Sequence, residues 1–357
     1  MKLRTLFAVL CAGFMAMPAY AELKLGANVE TNTTVSSSSL DNAGQDLVKF
    51  DNDGRVETAL EARTENENGF FFAGKGCFEI QVDGGYSSCD VTASLGNSSF
   101  EFKVGHWEAE DMFPKGEDVY IAEVPGAVGR YEMNKVRGRN PNGMGVIFKF
   151  SDTMKLDARL AFDTDNLSVL NTNDGSVSKV ASNNLGVRPV LVINPGNFTI
   201  KLGGEYLLSS PQDSDAKGEL TVLGFGTVVE AKVGNLTIGV TGAMKSDDGK
   251  DILTTVDADG NVISTKEVDK DEVKTTSAGT YVKIPVGEAD LLQVAGGFTT
   301  EDADDSNHMY VFSSYGHQLP VEGAKIKFGV SFANASDIGG SEDGTAFGAR
   351  VRFNYTF

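Results

Sequence analysis

The chain ends on Gly348-Ala349-Arg350-Val351-Arg352-Phe353-Asn354-Tyr355-Thr356-Phe357, and apolar and polar side chains alternate through this stretch. Ala, Val, Phe, Tyr and Phe occupy its odd-numbered positions, whereas two Arg, Asn and Thr follow Gly348 at the even-numbered ones. A period of two indicates a β-strand with one apolar and one polar face. In a strand that crosses a membrane, the apolar face contacts lipid and the polar face borders a water-filled interior. The stretch therefore predicts the closing strand of a membrane barrel.

Residues 1–21 predict a cleavable export signal. A basic start, an apolar run from Leu6 to Met17 and the small-x-small site Ala19-Tyr20-Ala21 follow one another in the order such signals use. No later stretch contains the roughly 20 consecutive apolar residues of a spanning helix. We therefore expect a mature chain of residues 22–357 that is exported. At this point it is either a soluble exported protein or a β-barrel of an outer membrane.

Alternating segments recur along the whole mature chain, and we count sixteen of them. The connections between them alternate between long and short, which is typical of an up-and-down membrane barrel. Both termini fall on the side of the short connections, so the first and last strands can pair and close the sheet. A different division of residues 69–95 would give fourteen or eighteen strands. The predicted strands are roughly 22–33, 55–63, 70–82, 90–95, 99–107, 143–150, 154–163, 184–193, 198–207, 219–232, 236–243, 276–284, 291–299, 307–316, 324–332 and 348–357.

Two cysteines remain after the export signal, Cys77 and Cys89. Export allows oxidation. The turn residues Asp83-Gly84-Gly85 between them would let the two face each other across a hairpin. We predict a structural disulfide, with two unpaired thiols as the alternative.

The formal net charge is −19. An acidic surface disfavours nucleic acid as a partner. It is compatible with a pore that attracts cations, although selectivity depends on the field at the narrowest point.

An export signal, sixteen alternating strands, a long third connection and a terminal aromatic residue together resemble the trimeric general porins of Gram-negative outer membranes. Two local motifs support the resemblance: Phe102-Lys103-Val104-Gly105 before the third connection, and the closing Phe353-Asn354-Tyr355-Thr356-Phe357. The resemblance implies an all-β barrel that is a homotrimer among outer-membrane lipid and lipopolysaccharide. It also implies a third connection folded into the lumen. The insertion machinery would recognise Phe357.

The third connection, residues 108–142, is rich in charge of both signs. The resemblance implies that acidic side chains of this connection face basic ones of the wall, and opposed charges create a transverse field that favours small polar solutes. The alternative is an external loop with solvated charges. The candidate acidic residues are Glu108, Glu110, Asp111, Glu117, Asp118 and Glu123. The candidate basic residues are Arg130, Arg137 and Arg139 in the connection, and Arg55, Arg63, Lys103, Arg159 and Arg188 on the wall.

Catalytic and metal-binding patterns are weak in this sequence. His106, His308 and His317 are isolated, and there is no Gly-x-Ser-x-Gly, His-Glu-x-x-His or phosphate-binding glycine loop. The stretch Asp257-Ala258-Asp259-Gly260-Asn261 lacks the distal ligands of a calcium loop and predicts a β-turn. We expect no enzyme activity, cofactor or metal.

Three functions are compatible with these patterns. The first is a passive channel for ions and small hydrophilic solutes with a weak preference for cations. The second is a substrate-selective channel for a sugar, phosphate or organic acid. The third is an exported β-rich binding or adhesion protein without a pore, in which the apolar faces would pack against each other.

Overall fold

The structure is a computed structural model of a single β-barrel. It describes residues 22–41, 47–113, 121–137, 142–170, 177–211, 219–256, 262–287, 289–303 and 305–357. Strands make up all the regular secondary structure of these residues. In this part of the chain we find no helix that is both long enough and apolar enough to span a bilayer.

Sixteen strands follow one another in chain order. Their bounds are β1 Glu22–Leu40, β2 Leu47–Glu65, β3 Phe71–Gln81, β4 Tyr86–Gly96, β5 Phe100–His106, β6 Gly143–Ser151, β7 Met154–Leu170, β8 Val177–Ile193, β9 Phe198–Pro211, β10 Glu219–Val233, β11 Leu236–Val256, β12 Val262–Val286, β13 Asp290–Glu301, β14 Ser306–Gln318, β15 Ala324–Ile338 and β16 Glu342–Thr356.

The sheet closes between its first and last strands. Each strand pairs with the next one along the chain, and β1 pairs antiparallel with β16 from Asn28↔Thr356 to Leu40↔Gly344. Closure leaves no edge strand at the seam. The predicted all-β, closed antiparallel barrel of sixteen strands is confirmed, and the alternatives of fourteen or eighteen strands are excluded.

The two faces of the barrel have opposite character. Large apolar side chains such as Leu25, Phe225 and Val351 point outward and are 75%, 53% and 42% exposed. Charged and small side chains alternate with them and point inward, where Arg159 and Arg188 are each 1% exposed. The alternation seen in residues 348–357 therefore repeats around the barrel, with apolar side chains outside and polar side chains inside.

Short and long connections lie at opposite ends of the barrel. The short ones use turn residues read from the sequence, including Gly69 and Gly234, whose φ angles are 74° and 60°. Such positive φ values strain a residue with a side chain and explain the glycine at both turns, in Asn68-Gly69 and in Gly234-Asn235. We call the two ends of the barrel the short-connection end and the long-connection end.

Several strands extend beyond their predicted limits at the long-connection end. The sequence predicts a connection over 246–274 with its own hairpin. The paired strands of that hairpin are present, but they are continuous with β11 and β12, which stay paired past a register shift between Asp247 and Gly249, with Lys250 opposite Asp269. Their turn, 257–261, lies outside the described residues. Beyond the apolar belt both faces of a strand are wet, so the sequence stops alternating while the backbone ladder continues.

Pro189 lies within β8, where it removes a backbone donor. The register between β8 and β9 runs from Val187↔Tyr206 to Val190↔Gly203 and skips the two pairs between them. The ladder is thus interrupted where proline cannot contribute to it.

A disulfide joins Cys77 of β3 to Cys89 of β4, with their Cα atoms 5.1 Å apart. Both cysteines are buried. The bridge lies beside a register shift between Gly76 and Phe78, so it ties the two strands together where their ladder is irregular.

Candidate functional site

The connection between β5 and β6 contacts the interior face of the barrel at widely separated strands. The backbone N–H of Glu110 donates to Asp157 Oδ2 of β7 at 3.1 Å. That of Tyr131 donates to Ser277 Oγ of β12 at 2.9 Å, and that of Ala122 to Ser331 Oγ of β15 at 3.1 Å. Polar side chains of the wall therefore satisfy backbone donors of the connection.

Apolar side chains of the connection are buried in two clusters on the wall. Met112, Phe113, Tyr131 and Met133 pack with Val190, Val192, Val228 and Ala243. Ala122 and Val124 pack with Tyr310, Phe312, Ala333, Ala335, Ile338 and Ala346. These clusters account for apolar residues at inward positions of strands that are otherwise polar inside.

Glycines of the wall make room for this packing. A Cβ placed on Gly224 of β10 would overlap the hydroxyl of Tyr131, and one on Gly348 of β16 would lie 2.6 Å from Ile121 Cγ2. Any larger residue at either position would push the connection away from the wall.

The side chain of Glu205 on β9 anchors the connection to the wall. Its carboxylate accepts hydrogen bonds from Tyr131 Oη at 2.5 Å, Val136 N at 3.0 Å and Lys135 N at 3.2 Å. Burial, together with this negatively charged acceptor, raises the pKa of the Tyr131 hydroxyl, which stays protonated and donates.

Arg188 of β8 completes this anchor. Its Nε donates to Met133 O at 2.9 Å and lies 4.0 Å from Glu205 Oε2. The side chains of Arg188 and Glu205 are both fully buried. A buried ion pair of this kind loses several kcal/mol when one partner is removed, about 3–5 by analogy with other proteins.

Glu110 binds two lysines of the wall. Its carboxylate oxygens lie 2.7 Å from Lys155 Nζ of β7 and 2.7 Å from Lys201 Nζ of β9. Lys201 Nζ also donates to the carbonyl oxygen of Asp111 at 2.6 Å. Burial opposes ionisation of Glu110, but hydrogen bonds and attraction from the two lysines outweigh it and lower the pKa of this carboxyl.

Arg137 and Arg159 hold the two ends of the connection together. Arg137 Nη2 lies 3.1 Å from Glu108 Oε2 and 3.4 Å from Asp111 Oδ2. Arg159 Nη1 donates to the carbonyl oxygen of Trp107 and to that of Arg137, the latter at 2.6 Å. The guanidinium of Arg159 also lies 4.5 Å from the centre of the Trp107 ring. Both arginines are buried.

These contacts form one network, which we call the anchor network. It contains equal numbers of acidic and basic side chains, so its net charge is zero when all are ionised. The acidic members are Glu108, Glu110, Asp111, Asp157 and Glu205, and the basic members are Arg137, Lys155, Arg159, Arg188 and Lys201.

The structure gives Arg159 and Arg188 a different role from the one expected. The sequence places them on the wall as charges that face water across a constriction. In the structure the connection covers both, and they donate to its backbone carbonyl groups. The sequence correctly placed both side chains on the inward face of their strands. The alternation of a strand does not show, however, which segment covers an inward side chain.

Other candidates lie outside the anchor network. Arg130 pairs with Glu132 and donates from Nη1 to Tyr310 Oη at 2.9 Å. Glu123 is exposed, and no ion pair with it is found among the described residues. Glu117, Asp118 and Arg139 lie outside the described residues.

The remaining wall candidates lie on β2 and β5 and pair locally. Arg55 Nη1 is 3.4 Å from Glu79 Oε2, and Lys103 Nζ is 3.6 Å from Glu101 Oε1. Arg63 Nη2 is 2.8 Å from Glu65 Oε2 and lies over the ring of Phe71.

The terminal residue Phe357 pairs with β1 through its backbone. Its N–H donates to Ala27 O at 3.0 Å, and its carbonyl oxygen accepts from Ala27 N at 2.9 Å. Its side chain is 67% exposed, and its ring lies 5.4 Å from that of Tyr355.

Comparison with known proteins gives structural matches only. No protein-family model matches the chain, and no curated protein matches it in sequence. The anion-selective porin from Comamonas acidovorans superposes with a TM-score of 0.61 at 15% identity, over 94% of this chain and 100% of the other. The trimer form of OmpT, an outer membrane protein of Vibrio cholerae, superposes with a TM-score of 0.58 at 12% identity, over 94% of this chain and 99% of the other. OmpF of Salmonella typhi in complex with daunomycin superposes with a TM-score of 0.56 at 11% identity, over 94% of this chain and 97% of the other.

The chain has a porin-type fold. At these identities the likeness concerns the fold, so the roles of individual residues depend on the geometry of this porin-type barrel itself. Sequence reasoning missed Lys155, Lys201, Glu205 and Tyr131. The available signal was a charge at an inward strand position, such as Glu205, together with apolar residues such as Met112 and Tyr131 inside a supposed loop.

Proposed function

We propose that the protein is an outer-membrane porin, a homotrimeric channel through which ions and small hydrophilic solutes diffuse passively. One observation carries the proposal: a closed sixteen-stranded sheet exposes large apolar side chains outward and encloses charged ones. Only lipid makes such an outer surface favourable, and sixteen strands leave room for water inside. The structural neighbours, among them an anion-selective porin and a trimeric outer membrane protein, support it.

The alternative of an exported binding or adhesion protein predicts that apolar faces bury each other. Val240, Phe298 and Met309 are instead 57%, 50% and 51% exposed on the outside of the barrel. Fractionation of cells separates the two ideas. We expect the protein in the outer membrane, soluble only with detergent and beginning at Glu22; a detergent-free periplasmic form would reject the porin.

We further propose that the connection between β5 and β6 occupies part of the lumen and narrows it. Its hydrogen bonds to β7, β12 and β15 support a path across the interior. In this arrangement the anchor network fixes the connection, while the side chains on its exposed face, including Glu123, border the water-filled passage.

A weak preference for cations would then depend on Glu123 more than on Glu108, Glu110 and Asp111. Those three carboxylates are matched by cations of the anchor network, whereas Glu123 is exposed. Conductance and reversal potential in planar bilayers with a salt gradient test this directly. We expect Glu123→Gln to shift the reversal potential toward anions, with Glu61→Gln on β2 as the control for loss of an exposed interior carboxylate.

The test has outcomes that oppose the proposal. An absence of channels would reject the porin. Saturation of the conductance by one sugar or organic acid would replace passive diffusion with the substrate-selective channel. The aromatic rings around the cavity beside Arg130, those of Phe113, Tyr281, Tyr310 and Phe312, are buried, and the cavity of about 20 Å³ has room for one water molecule. This cavity therefore gives no support to a sugar track.

A further inference from the structure

The disulfide between Cys77 and Cys89 lies on the interior face of the barrel, beside a carboxylate. Phe78, the next residue of β3, is 52% exposed on the outside, so Cys77 points inward. Glu57 of β2 also points inward, because its neighbour Val56 lies on the outer face. Glu57 Oε1 lies 3.5 Å from Cys77 Sγ, and this oxygen and the two sulfur atoms are all within 4.8 Å of one another. Each of the strands β2, β3 and β4 therefore contributes one atom of a kind that binds metal ions.

The spacing of these atoms suits a tetrahedral metal ion. Zinc binds cysteine sulfur at about 2.3 Å and carboxylate oxygen at about 2.0 Å. At a tetrahedral angle these two bonds place sulfur and oxygen about 3.5 Å apart, which is the separation of Cys77 Sγ and Glu57 Oε1. The Cα atoms of the two cysteines are 5.1 Å apart, so a small rotation of each side chain parts the sulfurs without moving the strands. The backbone thus brings three ligands to one point, and water would take the fourth position.

Charged side chains of both signs surround this group. Arg55 Nη1 lies 3.4 Å from Glu79 Oε2, and Lys75 Nζ lies 2.9 Å from Asp90 Oδ2. The two oxygens of Glu57 have different neighbours, because Oε2 lies 3.9 Å from Arg55 Nε while Oε1 faces the sulfur. The side chain of Glu79 is buried, whereas that of Glu57 is 30% exposed. Glu57 therefore connects the buried sulfur atoms with the interior of the barrel, from which an ion can reach them.

The oxidation state of the two cysteines decides whether an ion binds. A thiolate is a strong ligand for zinc, whereas the sulfur atoms of a disulfide carry no charge. A dithiol reductant supplies two electrons and two protons to the bridge, which becomes two thiols while the reductant leaves as its own disulfide. A zinc ion then forms a bond to each sulfur and releases both thiol protons to the solution. The site therefore exists in the reduced protein and is closed in the oxidised one.

We propose that reduction of the bridge creates an interior binding site for one thiophilic divalent cation of the zinc class, with Cys77, Cys89 and Glu57 as its protein ligands. The disulfide ties β3 to β4 in the oxidised barrel, and the ion ties β2, β3 and β4 together in the reduced one. This site goes beyond the proposed channel and does not depend on conduction. The sequence shows no metal-binding pattern here, because 12 residues separate the cysteines and Glu57 precedes Cys77 by 20.

Zinc binding by the folded barrel in detergent tests the proposal. Residues 22–357 contain only these two cysteines, so any thiol-dependent binding has one source. One sample is kept oxidised, and the other is reduced with dithiothreitol, freed of it without air and checked for folding by heat-modifiable mobility. We expect one tightly bound Zn²⁺ per chain in the reduced sample alone, and Co²⁺ in its place should show the visible bands of tetrahedral ligation. Equal binding in both samples, or none in the reduced one, overturns the inference while the porin stands.

Substitutions assign the ligands. Glu57→Gln should weaken Zn²⁺ binding by the reduced barrel at least about tenfold, since even groups that only support a ligand contribute about 10–100-fold. Glu61→Gln is the matched control, because it makes the same change on the interior face of the same strand, and it should bind like the parent. Cys89→Ser should bind no more Zn²⁺ than the oxidised parent. Equal affinity in Glu57→Gln and the parent would overturn the three-ligand site. If a variant fails to fold, the comparison of the oxidised and reduced parent still decides the question.

Discussion

At the scale of single residues, Glu205, which the sequence did not single out, anchors the connection to the wall. Its carboxylate accepts three hydrogen bonds from the connection and pairs with Arg188. A glutamine there has one acceptor oxygen and no charge, so Arg188 stays buried without its counter-charge. The structure predicts that Glu205→Gln lowers the free energy of unfolding by about 3–5 kcal/mol and enlarges the single-channel conductance.

Urea unfolding in detergent measures the change in stability, and bilayer recordings measure the change in conductance. The control is Glu61→Gln, which removes an exposed carboxylate of the interior. Unchanged stability and conductance in Glu205→Gln would show that the connection is held by its apolar clusters alone.

Glu110 gives the connection a dependence on acid. The pKa of its carboxyl is lowered from 4.5 in the folded protein, despite burial, by Lys155 and Lys201. Its contribution to stability is therefore complete above about pH 4.5 and is lost as the pH falls through the lower, folded pKa. We expect the conductance to change as the solution is acidified below that point.

Glu110→Gln should show the altered conductance already at neutral pH and little further change with acid. Recordings across this pH range compare the two proteins. A variant that keeps the full acid response of the parent would assign that response to another carboxyl group.

At the scale of secondary structure elements, the path of the connection depends on glycines of the strands beneath it. Gly224→Ala places a methyl group against the Tyr131 hydroxyl and, at 3.0 Å, against Glu205 Cγ. Gly242→Ala, on the outward face of the neighbouring β11, finds only Thr227 Cγ2 at 3.7 Å and is the matched control. Overpacking costs about 1–3 kcal/mol, so Gly224→Ala should unfold at lower urea and show altered conductance, whereas Gly242→Ala should match the parent.

The sequence predicted strands well where one face of the strand contacts apolar surroundings and the other face contacts water. Strands β6, β10 and β15 begin at the residue predicted from period two. The extension of β11 and β12 past Met244 was not predictable in this way, because a strand with both faces wet needs no alternation. The connection was predictable as long and charged, but its anchors were not. Glu205 and Glu110 meet partners that are far away in the sequence, Tyr131 and Lys201 among them, and no spacing in the sequence encodes those contacts.

At the scale of the whole molecule, the number of strands and the side on which the termini lie followed from connection lengths. Closure itself depends on the two ends of the chain. Phe357 forms two backbone hydrogen bonds with Ala27, next to the ladder of β1 and β16. Its exposed side chain lies beside Tyr355 on the outside of the barrel. The backbone of Phe357 thus serves closure, whereas its exposed ring takes no part in the ladder.

Two variants separate these roles of Phe357. Phe357→Ala keeps both backbone hydrogen bonds, so it should refold in detergent like the parent but accumulate less in the outer membrane if the ring is the assembly signal. Deletion of Phe357 removes the hydrogen bonds as well, so it should also slow refolding and lower the stability of the purified barrel. Heat-modifiable mobility on gels measures folding in both settings. Normal accumulation of Phe357→Ala in cells would show that closure of the sheet, and not recognition of the aromatic ring, is what the last residue contributes.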